Sequence, residues 1–162
     1  MRGPRDGGTL DRQQPHPDDH DEEGTMTAND DRIVLEPATS SVAEGRRWAV
    51  RQAARAHADA EASRTLELLT SEILTNAVVH TRAHRRIALH AECRDDCVRV
   101  AVTDPDPTLP LVRPGSPVRA GGNGMRIVDA LASRWGVELH PGRGKTVWFE
   151  TPVHPAGHLL TA

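Results

Sequence analysis

The hydrophobic period of this chain changes in a fixed order, and that order restricts the fold more than any single motif does. Ile33-Val34-Leu35 is a short apolar run stopped at Pro37, which suits an edge or leading strand. Ser41-Val42-Ala43-Glu44 has capping-box spacing and opens a helix to about His57. Val42, Ala49, Val50, Ala53 and Ala54 are its small apolar side, and Arg47, Arg51 and Arg55 follow one another a turn apart on the other, a solvated face or a partner-binding stripe. A second helix starts after Asp59 and runs to His80. Ile87, Leu89 and Ala91 then alternate with Ala88, His90 and Glu92, and beyond Arg94-Asp95-Asp96 the residues Val98, Val100 and Val102 alternate with Arg99, Ala101 and Thr103. Two-residue alternation on both sides of a short turn predicts a hairpin with one face on a core.

Residues 105–123 carry five prolines and several glycines, so a loop is expected there. Met125, Ile127, Val128, Leu131 and Ala132 give a third helical stripe ending at Gly136, and Val137 to Leu139 and Lys145 to Glu150 flank a Pro141-Gly142-Arg143-Gly144 turn as a last hairpin. Strand, helix, helix, two strands, loop, helix, two strands is not a βαβ wind. The order predicts an α/β (α+β) two-layer sandwich, with a mixed, mostly antiparallel sheet and helices on one face.

Charge divides the chain. Residues 1–31 hold nine acids and three bases, so the whole-chain balance of −3 leaves the remainder at +3. The segment 1–31 has too little apolar surface to offset its ordering entropy and is expected to be a disordered acidic tail. The folded domain is then residues 32–152, with 153–162 as a C-terminal tail, and both Met1 and Met26 are available as starts of translation. No run approaches the ~20 apolar residues of a membrane helix and no secretory apolar segment opens the chain, so a cytoplasmic protein with no membrane partner is expected. Two cysteines, Cys93 and Cys97, do not make a disulfide framework. With Trp48, Trp135, Trp148 and Phe149 as the only aromatics, a stacking platform for nucleic acid is not expected either.

Several chemical motifs can be set aside. Gly144-Lys145-Thr146 lacks the earlier glycine of a phosphate loop, where Leu139 stands, and leads into a strand rather than a helix. No glycine-rich dinucleotide fingerprint follows the leading strand, and no serine sits in a nucleophile elbow. His80, His84, His90, Cys93 and Cys97 fall within 18 residues but match no standard zinc spacing.

What remains is a series. On the second helix Glu72 and Asn76 fall one turn apart inside the apolar arc of Leu66, Leu68, Leu69, Ile73, Ala77 and Val79, while Ser63, Arg64, Glu67, Ser71 and Thr75 take the solvent side. An inward carboxylate and amide must meet each other, a cation or a polar ligand, so a satisfied buried pair and a binding site both remain open. Asp104 follows at a strand end, then Gly121-Gly122-Asn123-Gly124-Met125 opening a helix, then Gly144-Lys145-Thr146. Such a set can bind a nucleotide. An amide oxygen suits Mg²⁺, a carboxylate nearby can accept a hydroxyl proton, glycines let backbone amides approach phosphate, and an aspartate can accept from an amino group.

Ser71-Glu72-Ile73-Leu74-Thr75-Asn76-Ala77-Val78-Val79-His80 resembles the asparagine box of the GHKL ATPases, the group of gyrase, the heat-shock chaperone ATPase, histidine kinases and mismatch-repair ATPases. Gly122-Asn123-Gly124-Met125-Arg126-Ile127-Val128-Asp129 is similar to their second glycine box, and Gly144-Lys145-Thr146-Val147-Trp148-Phe149 to their terminal box. Small size and the lack of a phosphoacceptor domain make it similar to the bacterial anti-sigma factor serine/threonine kinase branch, over about residues 32–151.

The resemblance implies ATP and Mg²⁺ as cofactors, with Asn76 ligating the metal and Glu72 as catalytic base toward a serine hydroxyl of a partner protein. It implies that Asp104 reads the adenine amino group, that Gly122, Gly124 and Met125 belong to the phosphate-side lid, and that Thr146 supports the adenine end. Partners would be a sigma factor and an anti-sigma-factor antagonist protein, with no direct contact to nucleic acid; a homodimer is left open. The first glycine box departs from the family. Where Asp-x-Gly-x-Gly is usual, the chain reads Asp104-Pro105-Asp106-Pro107, which keeps the aspartate and stiffens the exit from the strand. That departure admits a second reading, a non-catalytic nucleotide-gated protein-binding module of the same fold.

Overall fold

The computed structural model describes residues 31–110 and 123–154. The acidic segment before Asp31, the middle of the proline-rich stretch with Gly121 and Gly122, and the chain after His154 lie outside the described residues. The elements run β1 (Arg32–Leu35), α1 (Thr39–Arg55), α2 (Ala60–His80), β2 (Ile87–Arg94), β3 (Cys97–Asp104), α3 (Gly124–Leu131), β4 (Arg134–His140) and β5 (Gly144–Pro152). The five strands form one sheet in the order β1-β2-β3-β5-β4. Every pairing is antiparallel, so the sheet is not mixed, and the helices cover one face of an α+β two-layer fold.

Alternation builds the inner face. Val98, Val100 and Val102 of β3 and Val147 and Phe149 of β5 are buried, with Val100 opposite Phe149 and Val102 opposite Val147. Burial of each such side chain contributes about 1.5–3 kcal/mol before the entropy of ordering it is counted. The β2–β3 hairpin turns through Asp95-Asp96, with Arg94 opposite Cys97 and Asp95 at φ 48°, the left-handed conformation that a two-residue turn requires.

Three expectations are corrected by packing. Helix α1 starts at Thr39 behind Ala38, not behind Ser41, because the Ser41 hydroxyl donates to the Glu36 carbonyl (2.7 Å) instead of capping. Its buried stripe is Val42, Gly45, Trp48, Ala49, Gln52 and Ala53, with Val50 and Ala54 turned outward. Helix α2 is capped as expected by Asp59, whose carboxylate accepts from Glu61 N (3.0 Å) and Ala62 N (2.8 Å). Its buried arc is rotated from the expected one. Leu68 and Val79 are exposed, and Ser71 is buried and accepts from Arg46 Nε at 3.0 Å, because α1 covers that flank. Helix α3 stops at Leu131 rather than Gly136, since the Ser133 amide and hydroxyl donate to the Glu150 carbonyl and draw the chain into β4, where Gly136 lies opposite Trp148.

Candidate functional site

The valine ladder on β3 ends in a charge. Asp104 continues the inward series Val98-Val100-Val102 and is 1% exposed; directly opposite it on β5, Lys145 continues the inward series of Val147 and Phe149 and is 0% exposed. Their side chains form an ion pair, Lys145 Nζ to Asp104 Oδ1 at 3.0 Å, and Nζ also donates to the Asp106 carbonyl at 2.7 Å. Asp104 Oδ1 accepts a second bond from the Asp106 amide (2.9 Å). Asp104 Oδ2 is buried and has no hydrogen-bond partner among the described residues. Burial pushes the Asp104 carboxyl above its ordinary range, against the lowering pull of Lys145 and of the Asp106 amide. Gly144 makes this approach feasible: at φ 108° a Cβ there would collide with the Asp104 carbonyl and with Pro105.

Next to this pair, the segment after β3 and the segment after α2 enclose a cavity of about 630 Å³ lined by His80, Thr81, Arg82, Arg85, Pro105, Asp106 and Thr108, among others. Asp104 lies behind Pro105 and Asp106 rather than on the lining itself. Asp106 is held in place by the Thr108 amide, which donates to Oδ1 at 2.8 Å, and bonding from Thr108 lowers its pKa.

Along α2 the residues Glu72, Asn76 and His80 are spaced a turn apart, so one edge of the helix leads from α3 to the cavity. Glu72 and Asn76 are half-buried, not enclosed in the apolar arc. Glu72 meets the start of α3: a Cβ on Gly124 would stand 2.7 Å from Glu72 Oε2. Helix α3 begins after Asn123, which makes no side-chain cap bond, so its first amides have no partner within the helix and carry the positive end of its dipole. The structure thus joins Glu72 to Gly124 and, separately, Asp104 to Lys145.

Two expected residues lie elsewhere. Thr146 alternates to the open face of the sheet, where its hydroxyl bonds Thr103 and His140 (2.8 Å each), so the residue beside Asp104 is Lys145. The Met125 side chain is buried in the core under α3 and leaves only its backbone for a ligand. Gly122 lies outside the described residues. Arg82 and Arg85 belong to no motif, and Lys145 stands inside the terminal box with no role implied for it. For Lys145 the signal was present, since alternation with Val147 and Phe149 places it on the inner face; Arg82 and Arg85 sit in a connection with no period to read. Among the described residues no three of His, Cys, Asp or Glu converge on a metal position, so the histidines and cysteines of 80–97 form no such cluster.

The residues suit a nucleotide. The cavity is in the ~300–1,000 Å³ range of small-molecule sites, Asp104 Oδ2 has no donor among the described residues, and the first amides of α3 have no intrahelical partner. Asn76 offers one neutral oxygen, which fits Mg²⁺ only when phosphate oxygens and water complete the shell.

Comparison with known proteins gives the same direction. The family described as histidine kinase-like ATPase domains matches residues 35–151. An uncharacterized protein of Streptomyces coelicolor is 38% identical over 77 residues, 43% of this chain and 73% of its own length. Among solved structures, the RsbU and RsbW domains of a Mycobacterium tuberculosis protein align with a TM-score of 0.53 at 18% identity, over 75% of this chain and 32% of that one. This chain therefore spans about a third of that structure, and the likeness is one of fold. The mycobacterial sensor histidine kinase MprB aligns at a TM-score of 0.48 and 16% identity, over 75% of this chain and 97% of that one.

Proposed function

Because this chain belongs to the family of histidine kinase-like ATPase domains, we propose that it is an ATP:Mg-binding regulatory serine/threonine protein kinase, acting as an anti-sigma factor in partner-switching control of transcription. Its partners in this reading are a sigma factor and an anti-sigma-factor antagonist protein. The observation that carries the nucleotide part is Asp104, a buried aspartate with one oxygen that has no partner among the described residues, close to a cavity of nucleotide size. Asp104 accepts the adenine amino group, and Asn76 supplies an oxygen to the magnesium. The amides at the start of α3 receive phosphate oxygens, with Gly124 kept bare so that Glu72 and the phosphates can share the corner. Bound ATP supplies the phosphoryl group. Glu72 accepts the proton of the partner's serine hydroxyl, and the remaining work is positioning and charge stabilisation.

A specific observation favours a second reading. The Asp104-Pro105-Asp106-Pro107 segment carries no glycine and is pinned by Lys145 at the Asp106 carbonyl, which suits a nucleotide-gated binding module that does not turn over. One experiment separates the two. Incubation with Mg-ATP and candidate antagonists is expected to yield phosphoserine on the antagonist, with loss in Glu72→Ala; complex formation without phosphoserine selects the module. Asn76→Ala should abolish the rise in Tm that Mg-ATP gives the wild type.

A further inference from the structure

The one lysine of the chain is not a surface residue. Lys145 is fully buried at the last inner rung of β3 and β5, and it directs one proton to Asp104 Oδ1 and one to the Asp106 carbonyl. With the Asp106 amide also on Oδ1, that oxygen has two donors and Oδ2 has none among the described residues. A buried acceptor without a donor carries a desolvation penalty, so Oδ2 is the atom of this pair with most to gain from a ligand. Lys145 also fixes the wall of the cavity, because the carbonyl it holds belongs to Asp106 of the lining.

We propose that Lys145 is a specificity-determining positioning residue: by occupying Oδ1 and pinning Asp106, it presents Asp104 Oδ2 as a pure acceptor that selects a base bearing an exocyclic amino group over one bearing a carbonyl there. This rests on the nucleotide reading above and adds to it a role for Lys145, to which the resemblance assigns none.

The selection follows from which charge sits beside the carboxylate. An ionised carboxylate only accepts hydrogen bonds, so an amino group is matched and a carbonyl oxygen is repelled. Among the described residues the charged groups facing Asp104 are Lys145 on β5 and Asp106 on the following segment; His80 of α2 acts on Asp106. Lys145 is the sole cation acting directly on Asp104 among them, and without it burial and Asp106 both drive the carboxyl toward its neutral form. A neutral carboxyl has an O–H to give, and the preferred ligand group changes from amino to carbonyl.

The test is equilibrium binding of Mg-ATP and of Mg-inosine triphosphate, which replaces the amino group with a carbonyl, to the full-length chain. Wild type is expected to bind ATP at least about tenfold more tightly than inosine triphosphate. In Lys145→Met the ATP affinity is expected to fall at least about tenfold and the ratio to reach one or invert, a readout that loosened packing would not move selectively. A folded Lys145→Met that keeps the wild-type ratio overturns the proposal. If that variant does not melt cooperatively, Lys145→Gln, which removes the charge but keeps a side-chain donor beside an intact Asp104, carries the test: its ratio is expected near one, and a wild-type ratio overturns the proposal. Failure of the underlying nucleotide reading is separately visible, because wild type itself then binds neither triphosphate, and the proposal falls with it.

Discussion

On β3 and β5 the same strands hold charge pairs on both faces. Toward the helices, Asp104 and Lys145 meet at 3.0 Å with 1% and 0% of their side chains exposed. Toward the open side, Arg99 reaches Glu138 at 3.0 Å and Glu150 at 3.6 Å, stacks over the Trp148 ring at 3.9 Å, and keeps 27% exposure, while Arg134 keeps 73%. Distances alone do not separate the two sets. Surroundings do: the outer charges retain water as an alternative partner, and the inner ones have, among the described residues, only each other and the Asp106 backbone. A charged pair placed where a valine or phenylalanine would serve the core at least as well is weak support for stability, which agrees with the ligand role proposed for Asp104 and Lys145.

The sharpest way to break this contrast is to truncate one partner on each face. Lys145→Ala leaves a buried carboxylate unpaired and is expected to lower stability by about 3–5 kcal/mol in urea unfolding. Replacing both members, Asp104→Asn with Lys145→Met, should recover most of that loss; no recovery would mean that packing around the lysine stem, rather than charge, is responsible. Gly124→Ala comes next, and it should act on ligand and not on fold. The new methyl meets Glu72 Oε2, the end of a flexible side chain, so the Tm should change little while Mg-ATP binding weakens about tenfold or more, ~1.4 kcal/mol, by titration calorimetry.

Smaller effects lie in pH. The Asp104 pKa is raised on folding, chiefly by burial, so the stability it contributes is complete below the unfolded value of about 3.9 and is lost as pH rises through the folded value. The Asp106 pKa is lowered, chiefly by Thr108, so its contribution is present above the ordinary aspartate range and disappears as pH falls through the lowered value. Unfolding across that range should therefore show opposite slopes removed by Asp104→Asn and by Asp106→Asn. Least of all should Arg99→Ala matter: about 0–1 kcal/mol for the exposed ion pairs and about 0.5–1 kcal/mol for the ring contact. A loss as large as that of Lys145→Ala would erase the difference between the faces.

Much of this was legible because strands declare their faces by simple alternation. Val98, Val100 and Val102 point to Asp104 as an inward residue, and Val147 and Phe149 do the same for Lys145. Reading Thr146 as the adenine-side residue followed a motif where alternation pointed one position away. Helix faces were harder. Ser71 and Leu68 exchange their expected environments because α2 is covered by α1 on one flank and by α3 on the other, and a single helix period does not say how many neighbours a helix has. The boundary between α3 and β4 was misplaced for a related reason: Gly136 reads as a helix stop, yet pairing with β5 captures the chain from Arg134 onward. Of the cavity only two edges are legible, His80 at the end of the asparagine box and Pro105-Asp106-Pro107 after Asp104; Thr81, Arg82 and Arg85 come from a connection whose residues repeat nothing.

The most direct measurement is calorimetric titration of the full-length protein with Mg-ATP, alongside Asp104→Ala. Saturable one-to-one binding in wild type, weakened at least about tenfold in the variant while its melting stays cooperative, is the predicted result. Equal affinity in the two proteins, or no binding in wild type, would contradict the assignment of this cavity and its buried aspartate to a nucleotide.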